Sequence, residues 1–314
     1  MPTKNSVAEK LPPKKLAKKK SANKEHSSLT IVHANALSHI PGLVHGFSTR
    51  KGGFSRVYGG NSLNLGFTKE DASRTVEKNR AAFLQKLGAI SKGKLWPLVT
   101  LRQIHSDLIH CVSGVPKESL TGDGLITTTP EILLGIQTAD CLPVILVDTK
   151  KRAVGVFHAG WRGTAKRIVE KGVGEMHRYF GSMPRDIKAA IGPGVRNCCY
   201  EVGEDVKHVF ESQFSYATAL FHEVKESDHI RERYPLLFLT ARAPGHSTLP
   251  RKIFLDLAEA NRRQLLDAGV PAKKIEVPEL CTVCNSDLLF SYRKEKGSTG
   301  RMLAAVGIKP RKND

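Results

Sequence analysis

No stretch of the 314-residue sequence is apolar for long enough to form a transmembrane helix, and no apolar core follows the positive charges at its start. Neither a membrane anchor nor a secretory signal is therefore expected. Without such a signal, the six cysteines point to reduced thiols in a cytoplasm and not to a disulfide framework. Cys281 and Cys284 form a single C-x-x-C. A zinc ribbon needs a second such pair, so this one is read as local packing, and the adjacent Cys198 and Cys199 are poorly placed to bridge one another. Acidic residues are also short: 30 Asp and Glu face 49 Lys and Arg, a net charge of +19. The excess is dispersed, and no RNP-like, helix-turn-helix or zinc-finger pattern accompanies it, which argues against a sequence-reading nucleic-acid protein. Only residues 1–27, with PPKKLAKKK at their centre, resemble a polyelectrolyte. They lack an apolar period and are read as a disordered basic tail, the one place where nucleic acid would be attracted.

What is present is the pattern of a globular α/β chain. Leu29–Ala36 and Val44–Thr49 read as strands, and Arg50–Gly66 as an irregular loop rich in Gly and Asn, of a length that suits a rim over a pocket. Asp71–Leu87 carries a helical pattern that Gly88 is placed to stop. Strands follow at Leu98–Ile104, Ile109–Val112, Gly124–Thr127, Leu133–Thr138, Leu142–Val147 and Ala153–Phe157. After HAGWRG a helix carries Ala165, Ile168, Val169, Met176 and Phe180, and Ile187–Ile191 is a further strand. Asp205–Gln213 and Leu257–Ala268 read as helices, Lys274–Val277 and Arg301–Val306 as strands, and 214–250 as irregular. No linker divides residues 28–310, so one domain is expected.

The chemistry-bearing residues collect at strand ends. Cys141 opens one buried-looking strand and His158 closes the next, just before a glycine-rich turn that opens a helix. His105 is a third candidate metal ligand. Gaps of 36 and 17 residues match no local zinc pattern, and singly each of the three reads as a structural residue.

A series of motifs changes that reading. QIHS at 103–106, TADCLPV at 138–144, HAGWRG at 158–163, IGP at 191–193, CYEVG at 199–203 and GRM at 300–302 resemble, in order, those of the YfiH-like or laccase-domain family, long labelled multicopper polyphenol oxidases. The resemblance implies one α/β domain with mixed β-sheets packed between helical layers. It implies a metal, zinc before copper, held by His105, Cys141 and His158. Twelve histidines without one His-X-His pair argue against a four-copper laccase. A His-His-Cys set with an open fourth position is instead the arrangement of a catalytic zinc, which activates water for attack on C6 of adenine.

The family also implies phosphorolysis of adenosine, inosine, guanosine and methylthioadenosine, with phosphate as co-substrate. Arg50, Asn64, Gln103 and Arg162 are the candidate substrate-binding side chains, the two arginines for phosphate. Asp140 is either a general acid or base, or a carboxylate that orients His158. Asp123, in GDG, has no assignable role at this stage. A metal-free alternative makes Cys141 a nucleophile with His158 as its base, as in an amidase acting on peptidoglycan precursors.

Overall fold

The run after Cys141 is apolar at every position because the strand it forms is covered on both faces. In the computed structural model, which describes residues 29–225 and 251–311, Leu142–Asp148 is buried throughout its length. Leu142, Val144 and Leu146 pack with helices, while Ile145 and Val147, on the opposite pleat, pack against a second sheet. Ala153–Ala159 repeats the device: Phe157 and Ala159 face the helices, and Val154 and Val156 the other sheet.

These two strands are the centre of a six-stranded sheet in the order Ile275–Glu276, Ile187–Ile191, Leu142–Asp148, Ala153–Ala159, Gly124–Thr127, Ile109–Cys111. Its inner pairings are antiparallel and its two outermost pairings parallel. A five-stranded sheet runs Ile31–Val32, Leu43–Ser48, Met302–Ile308, Leu133–Thr138, Leu98–Val99. Phe47, Leu134, Ile136 and Val306 of this sheet meet Leu125, Ile145, Val154 and Val156 of the other in a shared core. Ser73–Leu87 covers the outer face of the five-stranded sheet, with Phe83 and Leu84 against Val44, Leu133 and Leu303. Ile168–Phe180, Glu204–Gln213 and Leu257–Asp267 cover the outer face of the six-stranded one. The result is an α/β domain with mixed sheets between helical layers.

Several local readings are corrected. The loop expected over 50–66 contains the strand Lys51–Ser55. Its Gly53 marks close backbone approach, since a Cβ there would lie 2.2 Å from the Ser62 carbonyl oxygen. The segment read as strand over 29–36 keeps only Ile31–Val32 before a helical turn, Asn35–Ser38. Leu98–Ile104 divides into Leu98–Val99 and Leu101–Arg102, which join different sheets. The helix after HAGWRG is two, Trp161–Ala165 and Ile168–Phe180, separated where Arg167 takes a left-handed φ of 62°. Phe221–Lys225 forms a strand within the stretch read as irregular, while 226–250 and the basic tail lie outside the described residues. Among the described residues no helix is long and apolar enough to cross a membrane.

Candidate functional site

Strand alternation decides where two of the candidate ligands point. Cys141 continues the pleat of Ile145 and Val147, and His158 that of Val154 and Val156, with Pro143 paired to His158 in the register. Both side chains therefore leave the sheet on its inner face at the same end. His105 reaches them from the loop after Leu101–Arg102. Cys141 Sγ and one ring nitrogen from each histidine lie within 4.8 Å of one another. Sγ is 3.9 Å from His105 Nε2, and the two imidazole centroids are 4.9 Å apart.

Asp123 holds this group together. It is fully buried, and its Oδ1 accepts from His158 Nδ1 at 2.8 Å. The amides of Ile104, His105 and Ser106 donate to the same carboxylate at 3.3, 3.1 and 2.6 Å, and the Ser106 hydroxyl at 2.6 Å. His105 has φ of 58°, a conformation few non-glycine residues adopt, and it turns the successive amides into a concave anion nest. Because a carboxylate only accepts, Nδ1 of His158 carries the proton and Nε2 faces the cluster. Burial disfavours the Asp123 charge, but hydrogen bonds from His158 and Ser106 outweigh it and hold the carboxyl far below the usual range.

Cys141 and His158 ionise against burial by stabilising one another. For Cys141 burial is outweighed by the His158 charge and by hydrogen bonds from both histidines, which bring the thiol down to about 6. For His158 burial is outweighed by Cys141 and Asp123, which raise it to about 9. Zinc takes a thiolate and neutral imidazoles, and it would displace the Nε2 proton. Two imidazoles and a thiolate, one imidazole backed by a carboxylate, thus fit a mononuclear zinc centre with an open position. They do not fit a blue copper with a trinuclear cluster: the other donor group among the described residues is four cysteines without a histidine.

Gly160 guards the sulfur. A Cβ at this position would stand 2.9 Å from Cys141 Sγ and 3.1 Å from His105 Cδ2, although its φ of −74° suits any residue. Gly160→Ala is therefore expected to leave the fold intact and to weaken zinc binding by about tenfold or more, read by competition with a chelator.

A cavity of about 630 Å³ opens over the cluster, walled beyond it by Tyr200, Tyr292, Arg293 and Arg301. The Arg293 guanidinium lies 5.2 Å from the Tyr200 ring centroid, and that of Arg301 5.7 Å from Tyr292. Gln103 and Asp140 also line this space. The Gln103 amide is occupied by the backbone of Gln137, donating and accepting at 2.8 Å. Asp140, at φ of 95°, accepts from Thr282 Oγ1, Ser291 Oγ and the Arg293 amide at 2.6, 2.7 and 2.7 Å. It anchors the 282–293 segment, and the residue that orients His158 is Asp123.

Three expected substrate contacts are not part of the cavity wall. Arg50 is outside the cavity wall, its guanidinium occupied by Ser286 O, Glu295 and Tyr58 O at 2.7 to 2.8 Å. Asn64 is fully buried and bonds Gly66, Asp71 and the Arg301 amide, so it fixes the backbone behind a wall residue. Arg162 is exposed and stacks over Trp161 at 4.2 Å, outside the wall but near enough for its charge to act on Tyr200. The residues passed over, Tyr200 and Arg301, stood inside the CYEVG and GRM motifs; Tyr292 and Arg293 had no such signal.

Comparison with known proteins bears on the fold and the family. The chain is 35% identical to purine nucleoside phosphorylase YlmD of Geobacillus stearothermophilus over 278 residues, covering 85% of this chain and 90% of that one. It is 31% identical to adenosine deaminase RL5, from an unknown prokaryotic organism, over 84% of this chain and 93% of that one. The crystal structure of the Bacillus licheniformis hypothetical protein YfiH superposes with a TM-score of 0.72 at 31% identity, covering 90% of this chain and 97% of that one. The profile of the multi-copper polyphenol oxidoreductase laccase family matches residues 44–309, and with these relatives it shows that the chain belongs to that family.

Proposed function

We propose that the chain is a purine nucleoside enzyme that carries out phosphorolysis of adenosine, inosine, guanosine and methylthioadenosine, and deaminates adenosine with zinc at His105, Cys141 and His158. The observation that carries this reading is one cavity holding both the ligand cluster and, across from it, two tyrosines each beside an arginine. Tyr200 and Tyr292 offer flat apolar faces suited to a purine. Arg293 and Arg301 supply cations for phosphate, the role first sought in Arg50 and Arg162. In phosphorolysis a phosphate oxygen bonds to C1′ as the bond from C1′ to N9 breaks, and the base leaves with a proton. In deamination water adds at C6 and ammonia departs. When bound, zinc supplies Lewis acidity and water activation near neutral pH. Asp140 serves as a fixed acceptor at the cavity wall, positioning Arg293 through its amide.

A second reading draws on the low thiol pKa of Cys141, with His158 and Asp123 aligned behind it. That is the order of a cysteine hydrolase, for which amides of peptidoglycan precursors were the expected substrates.

Product analysis of the zinc-loaded protein with the four nucleosides tests the proposal. Free base and ribose 1-phosphate should form only with phosphate present, and inosine and ammonia should form from adenosine without it. No base release and no ammonia from any of them would overturn it. Arg293→Ala should weaken phosphate dependence selectively. A charge-assisted hydrogen bond of about 1.5–3 kcal/mol corresponds to a rise of roughly 10 to 100-fold in the KM for phosphate, with phosphate-free deamination changed far less.

A further inference from the structure

A second donor group lies outside the purine cavity. Cys198 and Cys199 sit on the loop after Ile187–Ile191, and Cys281 and Cys284 on the segment after Ile275–Glu276. Across 85 positions of sequence, Cys199 Sγ comes within 3.4 Å of Cys284 Sγ, and Cys198 Sγ within 3.6 Å of the same atom. All four sulfurs fall within 4.8 Å of one another. A tetrahedral zinc with Zn–S bonds of about 2.3 Å has S···S edges of about 3.8 Å, so the sulfurs already stand close to that figure. The C-x-x-C first read as local packing for want of a second pair finds that pair in the adjacent Cys198 and Cys199.

The backbone closes around one of the four sulfurs. The amides of Cys284, Arg196 and Val283 donate to Cys281. Arg196 is 8% exposed, and among the described residues its guanidinium hydrogen-bonds no carboxylate: Nη2 donates to Gly192 O and Pro278 O, Nε and Nη1 have no hydrogen-bond partner, and the charges that reach it are those of Asp256, then Cys281 and Cys198. A buried cation without an ion pair in contact gains from further negative charge nearby, and four thiolates on a divalent ion supply it. Cys198, Cys281 and Cys284 line a cavity of about 510 Å³, which gives an ion a way in.

We propose that Cys198, Cys199, Cys281 and Cys284 bind a structural zinc ion that ties the 194–200 loop to the 278–293 segment. The backbone already brackets this junction, with Thr282 N donating to Gly194 O at 3.1 Å and Gly194 bridged to Cys281. Tyr200 directly follows Cys199, and Thr282, inside the C-x-x-C, donates to Asp140. The ion would thus fix one tyrosine of the purine cavity and the carboxylate that anchors Arg293. The inference stands apart from the purine reading, because its readout is metal and thiols and not turnover.

The test is zinc content after purification under reducing conditions in zinc-supplemented medium. Wild type should carry two equivalents per chain, and His105→Ala/His158→Ala should keep one that survives mild chelation. Cys198→Ser/Cys284→Ser should lose that tightly held equivalent and melt at a lower temperature. Cobalt loaded into His105→Ala/His158→Ala should show intense thiolate-to-metal charge-transfer bands with tetrahedral d–d bands. If the serine variant fails to fold, alkylation of the His105→Ala/His158→Ala protein decides: zinc should protect all four thiols. Equal alkylation with and without zinc would overturn the proposal. So would a chain two hydrogens lighter, with Cys284 in a disulfide and no zinc bound.

Discussion

Cys141→Ala is expected to strip the metal from the His105 and His158 cluster and to lower purine turnover with it, by about a thousandfold or more. A metal's stabilisation of developing charge is several kcal/mol, and each 1.36 kcal/mol is a factor of ten in rate. His105→Ala and His158→Ala should behave alike, since each removes one of three donors that converge within 4.8 Å. The measurements are zinc per chain and rates on the same samples. Chelation separates this from the thiol mechanism. Metal-free wild type should have lost adenosine deamination, and added zinc should restore it. Should the metal-free wild type remain fully active while Cys141→Ala is dead, Cys141 is a nucleophile and the zinc assignment is wrong. His105 gives an independent arm, because a thiol mechanism needs only Cys141, His158 and Asp123.

Asp123→Asn should produce the next largest effect, on stability and metal together. The carboxylate is wholly buried with His158 beside it, and removing one member of a buried charged pair costs about 3–5 kcal/mol. The amide also brings donors toward Ser106 N and Oγ, which now both donate to Oδ2. Denaturant melts should register that loss. Zinc affinity should fall roughly 10 to 100-fold, the usual consequence of removing a carboxylate behind a ligating histidine. In the metal-free protein His158, raised from 6.5 to about 9 partly by Asp123, should titrate at lower pH in the variant, because one of two anions favouring its proton is gone. Ring-proton NMR reads that shift directly. An unchanged titration would show that Asp123 does not orient this imidazole.

Sequence patterns exposed the strands best where burial was two-sided. Leu142–Asp148 is an apolar run because both faces are covered, whereas the Lys51–Ser55 strand was hidden by Gly52, which takes a left-handed φ of 81°, and Gly53, which serves close packing. The trio of His105, Cys141 and His158, which the fold brings within 4.8 Å, could be picked out through its motifs and not its spacing. Asp123 stood in view as GDG, but its partners lie 17 to 35 residues away and depend on the left-handed turn at His105. Asp140 stayed open between two roles because its donors come from 142 to 153 residues downstream. Arginine is a residue type suited to phosphate, yet a side chain's charge does not reveal whether a neighbour has already claimed it. Glu295 claims Arg50, and nothing in the local sequence says so.

The place of Met302–Ile308 in its sheet bears on how the protein is made. This strand lies between Leu43–Ser48 and Leu133–Thr138, pairing with both. While the chain is being translated, those two earlier strands emerge with their facing edges open, and they stay open until residue 308 clears the ribosome. Open apolar strand edges recruit other chains, so nascent molecules are most prone to aggregate, and most dependent on chaperones, during this interval. Ribosome pausing upstream of residue 302 would lengthen that exposure without altering a single contact of the finished enzyme.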